Sequence, residues 1–314
     1  MNAVPQKKTK SSKKMKQFVK YFPLTLMTLP GLLYLLINNY LPLAGITLAF
    51  KNIDLSKGIF ASDWNGLENF KYLFSSSTTL EITRNTILYN VAFIIINTVF
   101  AVTIAILLNE LTSKKMLRLS QTVILLPSFI SIIIVAYLVQ ALLNADSGLL
   151  NHILSALGKE TIAWYSEPKY WPVILPIVNL WKGFGMLTII YFSSIIGIDG
   201  DLYEAATLDG ATKWQQIRCI TLPLIRPTVI MMVLLAAGKI FYSDFGLFYQ
   251  VTMNSGALFS TTNTIDTYVY RSLMKLGDIG MSSAAGAYQS IVGFVLVLVS
   301  NLIVRKIDPD SALF

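Results

Sequence analysis

Three charged side chains fall inside long apolar stretches of this sequence: Lys182, Lys239 and Asp244. An uncompensated charge near the centre of a bilayer costs about 2.5–3.5 kcal/mol on insertion scales, so each group needs a partner or a polar cavity. Two interpretations stand side by side: an ion pair between packed helices or subunits, or groups that line a path and meet the hydroxyl or acidic groups of a solute. Lys239 and Asp244 lie about 140° apart on an ideal helix, so they are not same-face neighbours.

Aromatic and amide side chains accompany these charges. Four aromatic residues lie between positions 242 and 249, and an asparagine and a tryptophan precede Lys182 closely. An aromatic stripe in a membrane helix is usually packing, but rings also stack on sugar faces while hydroxyl and amide groups supply hydrogen bonds. The candidate substrate path therefore consists of Asn179, Trp181, Lys182, Lys239, Tyr242, Asp244 and Tyr249.

The sequence lacks the usual signatures of catalysis. It has no GxxxxGK[ST] phosphate-binding loop, no His/Glu metal cluster and no nucleophile elbow. Cys219 is the single cysteine and His152 the single histidine, so neither a disulfide nor a Cys-rich metal site can form within the chain. These absences argue against an enzyme and predict no catalytic residue, metal or cofactor in this chain.

A second polar cluster lies in the loop over residues 198–227, between two apolar stretches. Its pattern predicts two short helices joined at Gly210, because glycine adopts turn conformations that other residues resist. Asp201 is expected to cap the first helix and Thr212 the second. Ala205 and Ala206 would give the first helix a narrow face that fits a groove on a partner.

The same loop has a second interpretation and a predicted exit. From composition alone it is equally an amphipathic hairpin that lies at the membrane surface and joins two spans. Pro223 and Pro227 are expected to redirect the chain into the next apolar stretch, since proline interrupts helical hydrogen bonding.

Composition indicates that lipid surrounds most of the chain. The 314 residues are 54% hydrophobic and 13% charged, whereas soluble domains carry about 25% charged residues. About 20 apolar residues span a bilayer as a helix, and backbone groups in lipid must be satisfied internally. The sequence thus predicts an all-α integral membrane protein with six transmembrane helices, over residues 22–48, 87–108, 119–143, 171–196, 228–250 and 284–304.

Basic residues predict the orientation of these spans. Seven lysines fall in the first 20 residues, which are expected to form a basic cytoplasmic segment beside anionic lipid. With the N-terminus inside, the inner segments hold more Lys and Arg than the longer outer loops. The positive-inside rule therefore places both termini in the cytoplasm.

The loop also resembles a known family. Glu204-Ala205-Ala206 followed by Gly210 and by Leu222-Pro223 matches the EAA motif of binding-protein-dependent ABC importer permeases, with the Asp209-Gly210-Ala211 form found in sugar permeases. Further stretches look like the oligosaccharide-type subgroup of the maltose-permease superfamily, so that the likeness covers about residues 21–310. These stretches are residues 30–31, 42–51, 64–70, 126–131, 148–151 and 266–271.

The resemblance implies a type I ABC importer transmembrane domain over residues 21–310, with its coupling loop at 198–227, in a bacterial cell membrane. It implies that the loop docks on a separate ATPase dimer that binds ATP and Mg, that a second, different permease completes the path, and that an extracellular sugar-binding lipoprotein delivers an oligosaccharide. No nucleic-acid partner is expected. The ATPase-coupling residues would be Glu204, Ala205, Ala206, Asp209, Gly210, Ala211, Leu222 and Pro223.

Two alternatives to a sugar importer are open. The chain lacks the extra N-terminal spans and large outer domain of maltose permease, so the sugar contacts of that protein do not carry over, and an ABC permease for a non-sugar solute is one alternative. The other is an ion-coupled secondary transporter, which typically shows inverted repeats and a coupling-ion site. Neither feature is evident in the sequence.

Overall fold

The computed structural model describes the backbone of residues 10–307 and the side chains of residues 20–306. This part of the chain is helical, with one isolated antiparallel bridge between Lys51 and Trp64. The α-helices are α1 (Lys10–Leu35), α2 (Glu68–Ser75), α3 (Ser77–Asn109), α4 (Lys114–Phe129), α5 (Ile132–Leu143), α6 (Leu149–Ala156), α7 (Trp171–Ile196), α8 (Gly200–Leu208), α9 (Lys213–Gln216), α10 (Leu222–Ala237), α11 (Phe259–Thr262), α12 (Ile265–Met274) and α13 (Ile279–Ile307).

The predicted all-α membrane fold is confirmed. Within the described residues, five helical runs are long and apolar enough to cross a membrane, and the bent α4–α5 pair is the sixth. The first of these runs is Lys20–Phe50, where α1 continues through a π turn at Leu36–Tyr40 and a 3-10 helix at Leu41–Phe50. Only 6% of its apolar stretch is buried, so most of this helix stands away from the rest of its own chain.

The third predicted span is not one straight helix. Helices α4 and α5 meet at 93° across a short break. Pro127 lies near the end of α4, and Ile130 and Ser131 have extended backbone angles. A proline near a helix end removes a backbone donor and favours such an interruption.

The fifth predicted span is displaced. One helical run extends from Lys213 to Ala237, and residues 238–244 then form turns and irregular chain. Lys239 and Asp244 therefore do not lie on an ideal helix, and the angle expected between them does not apply. The expected redirection by Pro223 and Pro227 is also wrong, because both prolines are accommodated within that run. A π turn at Ile217–Thr221 precedes them, and Pro223 falls in the first turn of α10, where a missing N–H is tolerated.

Helix α7 packs along α3 and forms the centre of the bundle with α10. One apolar cluster includes Phe93, Trp171 and Phe248, and a second includes Tyr191 and Ile225. Between these clusters α7 also packs against α4. The two helices approach closely at Gly185, because a Cβ added there would lie 2.0 Å from the carbonyl oxygen of Ile124. The polar groups described below lie between the two clusters.

Candidate functional site

The break over residues 238–244, after α10, places free backbone groups inside the bundle. The side-chain amide of Asn90, on α3, donates to the carbonyl oxygens of Ile240 and Tyr242, each at 3.0 Å. Gln289, on α13, donates to the carbonyl oxygen of Phe241 at 2.9 Å. Irregular backbone at membrane depth is stable only where protein or water satisfies it, and these two amides satisfy three of its acceptors.

A cavity of about 400 Å³ opens between α3, α7, α10 and the break. A smaller one of about 260 Å³ lies beside it and shares Asn179 and Asp244 as lining residues. Lys239 and Tyr242 line the larger cavity and Lys182 the smaller one. The structure thus brings five of the seven candidate path residues together around two adjacent cavities.

The other two candidates lie elsewhere. Trp181 is 41% exposed and lines neither cavity. The ring of Tyr249 stacks on Phe245 at 4.9 Å between ring centroids and meets the edge of Tyr270 at 5.0 Å. Tyr249 therefore belongs to an aromatic cluster beyond the break.

Lys182 connects α7 to the bend between α4 and α5. Its ammonium group donates to the carbonyl oxygen of Ile130 at 2.7 Å and lies 3.4 Å from that of Ser128. The hydroxyl of Ser128 donates to the carbonyl oxygen of Lys182 at 3.0 Å. The last carbonyls of a helix lack partners and attract cations, so Lys182 stabilises the exposed end of α4.

An ion pair does not neutralise the candidate charges within the described part of the chain. None of Lys182, Lys239 and Asp244 has an oppositely charged side chain within 4.0 Å there. The carboxylate of Asp244 instead accepts from the backbone N–H of Leu247 at 3.1 Å, at the start of the next helical turn. Asp244 and Lys239 are both exposed at the cavity wall, where they can meet water or a solute.

Asn97 also lines the larger cavity, although the sequence pattern did not single it out. Its amide donates to the side-chain oxygen of Asn179 at 2.7 Å, across α3 and α7, while its own side-chain oxygen is buried without a hydrogen-bond partner at the larger cavity. A buried acceptor left unpaired costs about 1–3 kcal/mol, so the orientation of Asn97 is stabilised chiefly by its bond to Asn179. The sequence carried a signal, because Asn90 and Asn97 are two helical turns apart and share one face of α3.

The loop over residues 198–227 folds as two short helices around a glycine, as predicted. Asp199, rather than Asp201, caps α8 and accepts from the backbone N–H of Asp201. Gly210 has φ of 80°, a backbone angle that favours glycine. Nothing lies within 4 Å of an added Cβ, so a larger side chain would be disfavoured by this angle and not by a steric clash. Thr212 caps α9 as expected, in a capping box with Gln215.

Contacts within this loop hold its two helices together. The hydroxyls of Tyr203 and Thr221 lie 2.9 Å apart, and the Gln216 amide donates to the Thr207 hydroxyl at 2.8 Å. Leu208 remains 90% exposed. Of the predicted coupling residues, the exposed ones are Glu204, Ala205, Asp209, Gly210, Leu222 and Pro223, and the half-buried ones are Ala206 and Ala211.

A groove of about 380 Å³ lies between the two helices of the loop. Tyr203, Glu204, Leu208 and Lys213 are among its lining residues. The Lys213 ammonium group also lies 3.3 Å from the carboxylate of Glu110, at the end of α3. The groove thus presents a carboxylate, an ammonium group and an exposed leucine to a partner.

Apolar helices around a cavity lined by charged and amide groups, together with an exposed loop that has its own fold, are expected of a membrane transport subunit. Residues 97–311 match the family described as the binding-protein-dependent transport system inner membrane component. The chain belongs to this family. It is a multi-pass membrane permease component of an ABC importer and not its catalytic subunit, which confirms the resemblance of the EAA loop.

Individual relatives cover nearly the whole chain. It is 31% identical to the polygalacturonan/rhamnogalacturonan transport system permease protein YteP of Bacillus subtilis (strain 168), over 99% of this chain and 96% of that protein. It is 32% identical to protein LplB of the same strain, over 92% and 90% respectively. A crystal structure of a bacterial ABC transporter that imports the acidic polysaccharide alginate is similar with a TM-score of 0.87 and 31% identity, covering 94% of this chain and 99% of that one.

Proposed function

We propose that this chain is one permease subunit of an ATP-driven importer for an acidic oligosaccharide that an extracellular solute-binding protein delivers. The observation that carries the proposal is the pair of adjacent cavities, where Lys182, Lys239 and Asp244 line a solute-sized space and none of them has an ion-pair partner among the described residues. Two ammonium groups against one carboxylate favour an anionic cargo.

Uncharged groups of the same cavity suit the rest of a saccharide. The amides of Asn97 and Asn179 and the hydroxyl of Tyr242 supply donors and acceptors for sugar hydroxyls. The named relatives point the same way, since YteP is described as a permease for galacturonans and a similar structure imports alginate. A second similar structure, with a TM-score of 0.84, holds an alginate transporter with a periplasmic protein that carries an alginate pentasaccharide.

The energy source lies on a partner in this proposal. An ATPase dimer binds ATP and Mg and docks on the loop over residues 198–227, because this sequence has no phosphate-binding loop of its own. The groove with Glu204 and Lys213 and the exposed Leu208 support docking at this loop. Closure of the ATPase dimer then moves the loop as a packed unit.

A second permease completes the path. The run Lys20–Phe50 is exposed along most of its length and carries Asn38 and Asn39, whose amides are costly in lipid. A partner permease would cover this helix and the open side of the cavity. Both termini lie in the cytoplasm of a bacterial cell, as the distribution of Lys and Arg favours.

Reconstitution tests the proposal. The importer is co-purified from native membranes with its partner permease, ATPase and binding protein, placed in proteoliposomes, and offered oligogalacturonate, alginate oligosaccharide, maltotetraose, an amino acid mixture and phosphate. We expect ATP-dependent accumulation of an acidic oligosaccharide. Accumulation of maltotetraose alone would refute the acidic cargo. Uptake of only the amino acids or phosphate, or uptake that persists without ATPase and collapses with the ion gradient, would refute the proposal as a whole.

A further inference from the structure

Helix α12 carries the stretch 266–271, which resembles sugar permeases but has no part in the function proposed above. The helix begins at a capping box formed by Thr264 and Thr267. From its first turn, one carboxylate oxygen of Asp266 accepts three hydrogen bonds. Two come from the backbone N–H and hydroxyl of Ser243, at 2.7 and 2.8 Å, and one from the Gln289 amide at 3.0 Å.

These bonds tie the break after α10 to two other helices. Gln289, on α13, also donates to the carbonyl oxygen of Phe241, so its amide joins Asp266 to the break. The Ser243 hydroxyl lies 2.8 Å from that of Thr264 as well. Asp266 lines neither cavity, whereas Ser243 lines the larger one together with its neighbours Tyr242 and Asp244.

The far end of α12 holds the chain that follows the break. The Tyr270 ring packs on Phe245 with 4.7 Å between centroids. Arg271 donates to the side-chain oxygens of Asn254, at 2.9 Å, and Asn263. Asn254 has φ of 48°, an angle that asparagine tolerates better than most residues, and the preceding Met253 has φ of 53°, so the Arg271 contact holds a turn that includes one disfavoured backbone angle.

We propose that α12 positions the cargo-facing break, and that Asp266 is the positioning residue that fixes Lys239, Tyr242 and Asp244 toward the cavity. It does so through the Ser243 backbone and Gln289 and does not contact the cargo. The inference rests on the proposed function, because the positioned groups are the candidate cargo contacts. Exchange of the carboxylate for an amide leaves one oxygen that can accept these three bonds but removes its negative charge, which weakens the link while the size of the side chain is kept.

Cysteine labelling tests the positioning without knowledge of the cargo. Cys219 is the single cysteine of the chain, so Cys219→Ser provides a background in which Lys239→Cys reports on the cavity wall. In the full importer we expect Asp266→Asn to change the rate of modification by a charged methanethiosulfonate about fivefold or more, since the three bonds at this oxygen lose the contribution of its negative charge. Asp278→Asn is the matched control, because this exposed carboxylate contacts the start of α13 and not the break.

Transport kinetics separate positioning from a general folding defect. In proteoliposomes with an otherwise native chain, Asp266→Asn is expected to raise the KM for oligogalacturonate about tenfold, which corresponds to about 1.4 kcal/mol of binding, while basal ATP hydrolysis stays at the wild-type rate. If Asp266→Asn does not accumulate in the membrane, Ser243→Ala, which removes one of the three bonds, is measured in the same way.

The inference would be overturned if the variant showed unchanged labelling and an unchanged KM while the wild-type importer took up sugar normally. Failure of the wild-type importer to take up any saccharide would refute the proposed function, while the labelling result would still decide the positioning.

Discussion

The loop over residues 198–227 and the cavity are held together in different ways. In the loop over residues 198–227, the caps, the glycine turn and the contacts between helices join residues close in sequence, such as Thr207 and Gln216. In the cavity, the bonds cross the bundle: Asn90 reaches Tyr242, and Lys182 reaches Ile130. A loop of the first kind can move as a unit when a partner pulls on it. A cavity of the second kind changes shape only when whole helices shift against one another.

The largest expected effect is the loss of partner docking at the loop. Glu204→Lys reverses the charge at the rim of the groove beside Lys213, and we expect it to abolish ATP-driven uptake while the protein still inserts. Like charges across a docking surface oppose association, commonly by several kilocalories per mole. The measurement is uptake together with co-purification of the ATPase. Glu160→Lys, at an exposed site away from the loop, should leave both unchanged, and normal uptake by Glu204→Lys would contradict docking at this groove.

A second change tests how much the close packing of α4 on α7 contributes to stability. An added methyl group at Gly185 would meet the backbone of Ile124, and overpacking against backbone typically costs about 1–3 kcal/mol. We expect Gly185→Ala to lower the melting temperature of the detergent-solubilised protein clearly. Gly183→Ala is the control on the same helix, since nothing lies within 4 Å of its added Cβ. Equal melting temperatures for the two variants would show that α4 can shift away from the added methyl group at little cost in stability.

The two lysines of the cavity allow a finer comparison. Lys182 both lines the cavity and stabilises the end of α4, so Lys182→Met should lower stability by about 1.5–3 kcal/mol, as loss of hydrogen bonds from a charged group does. Lys239 lines the cavity without such bonds to a helix end, so Lys239→Met should leave stability within about 0.5 kcal/mol. Thermal unfolding measures the first difference.

The charge of the cargo tests the role of Lys239 in transport. Lys239→Met should raise the KM for oligogalacturonate about tenfold and leave maltotetraose uptake, where it occurs, unaffected, because a tenfold change equals about 1.4 kcal/mol of lost attraction. An equal change for acidic and neutral sugars would assign Lys239 to packing.

The two regions also differ in how far the sequence predicts them. The glycine turn and the Thr212 cap follow from neighbouring residues, and both are present in the structure. The break after α10 does not follow from neighbouring residues. Its residues continue an apolar stretch, and a hydropathy average over about 20 residues hides so short an interruption. Gly238 and the charge at Lys239 were the available signals. The contact of Lys182 with the end of α4 cannot be predicted from the sequence, because the free carbonyls arise from a bend between two other helices.

The smallest expected effect concerns the ion pair that joins the two regions directly. Lys213, in the loop, lies 3.3 Å from Glu110 at the end of α3, with side chains 73% and 40% exposed. Exposed pairs of this kind contribute about 0–1 kcal/mol and weaken with salt, so Glu110→Gln should change both melting temperature and uptake only slightly. The measurement is uptake at low and high ionic strength. If Glu110→Gln instead lowers uptake more than tenfold at unchanged stability, the loop would act on α3 through this pair, and its own contacts would not be sufficient to transmit movement to the cavity.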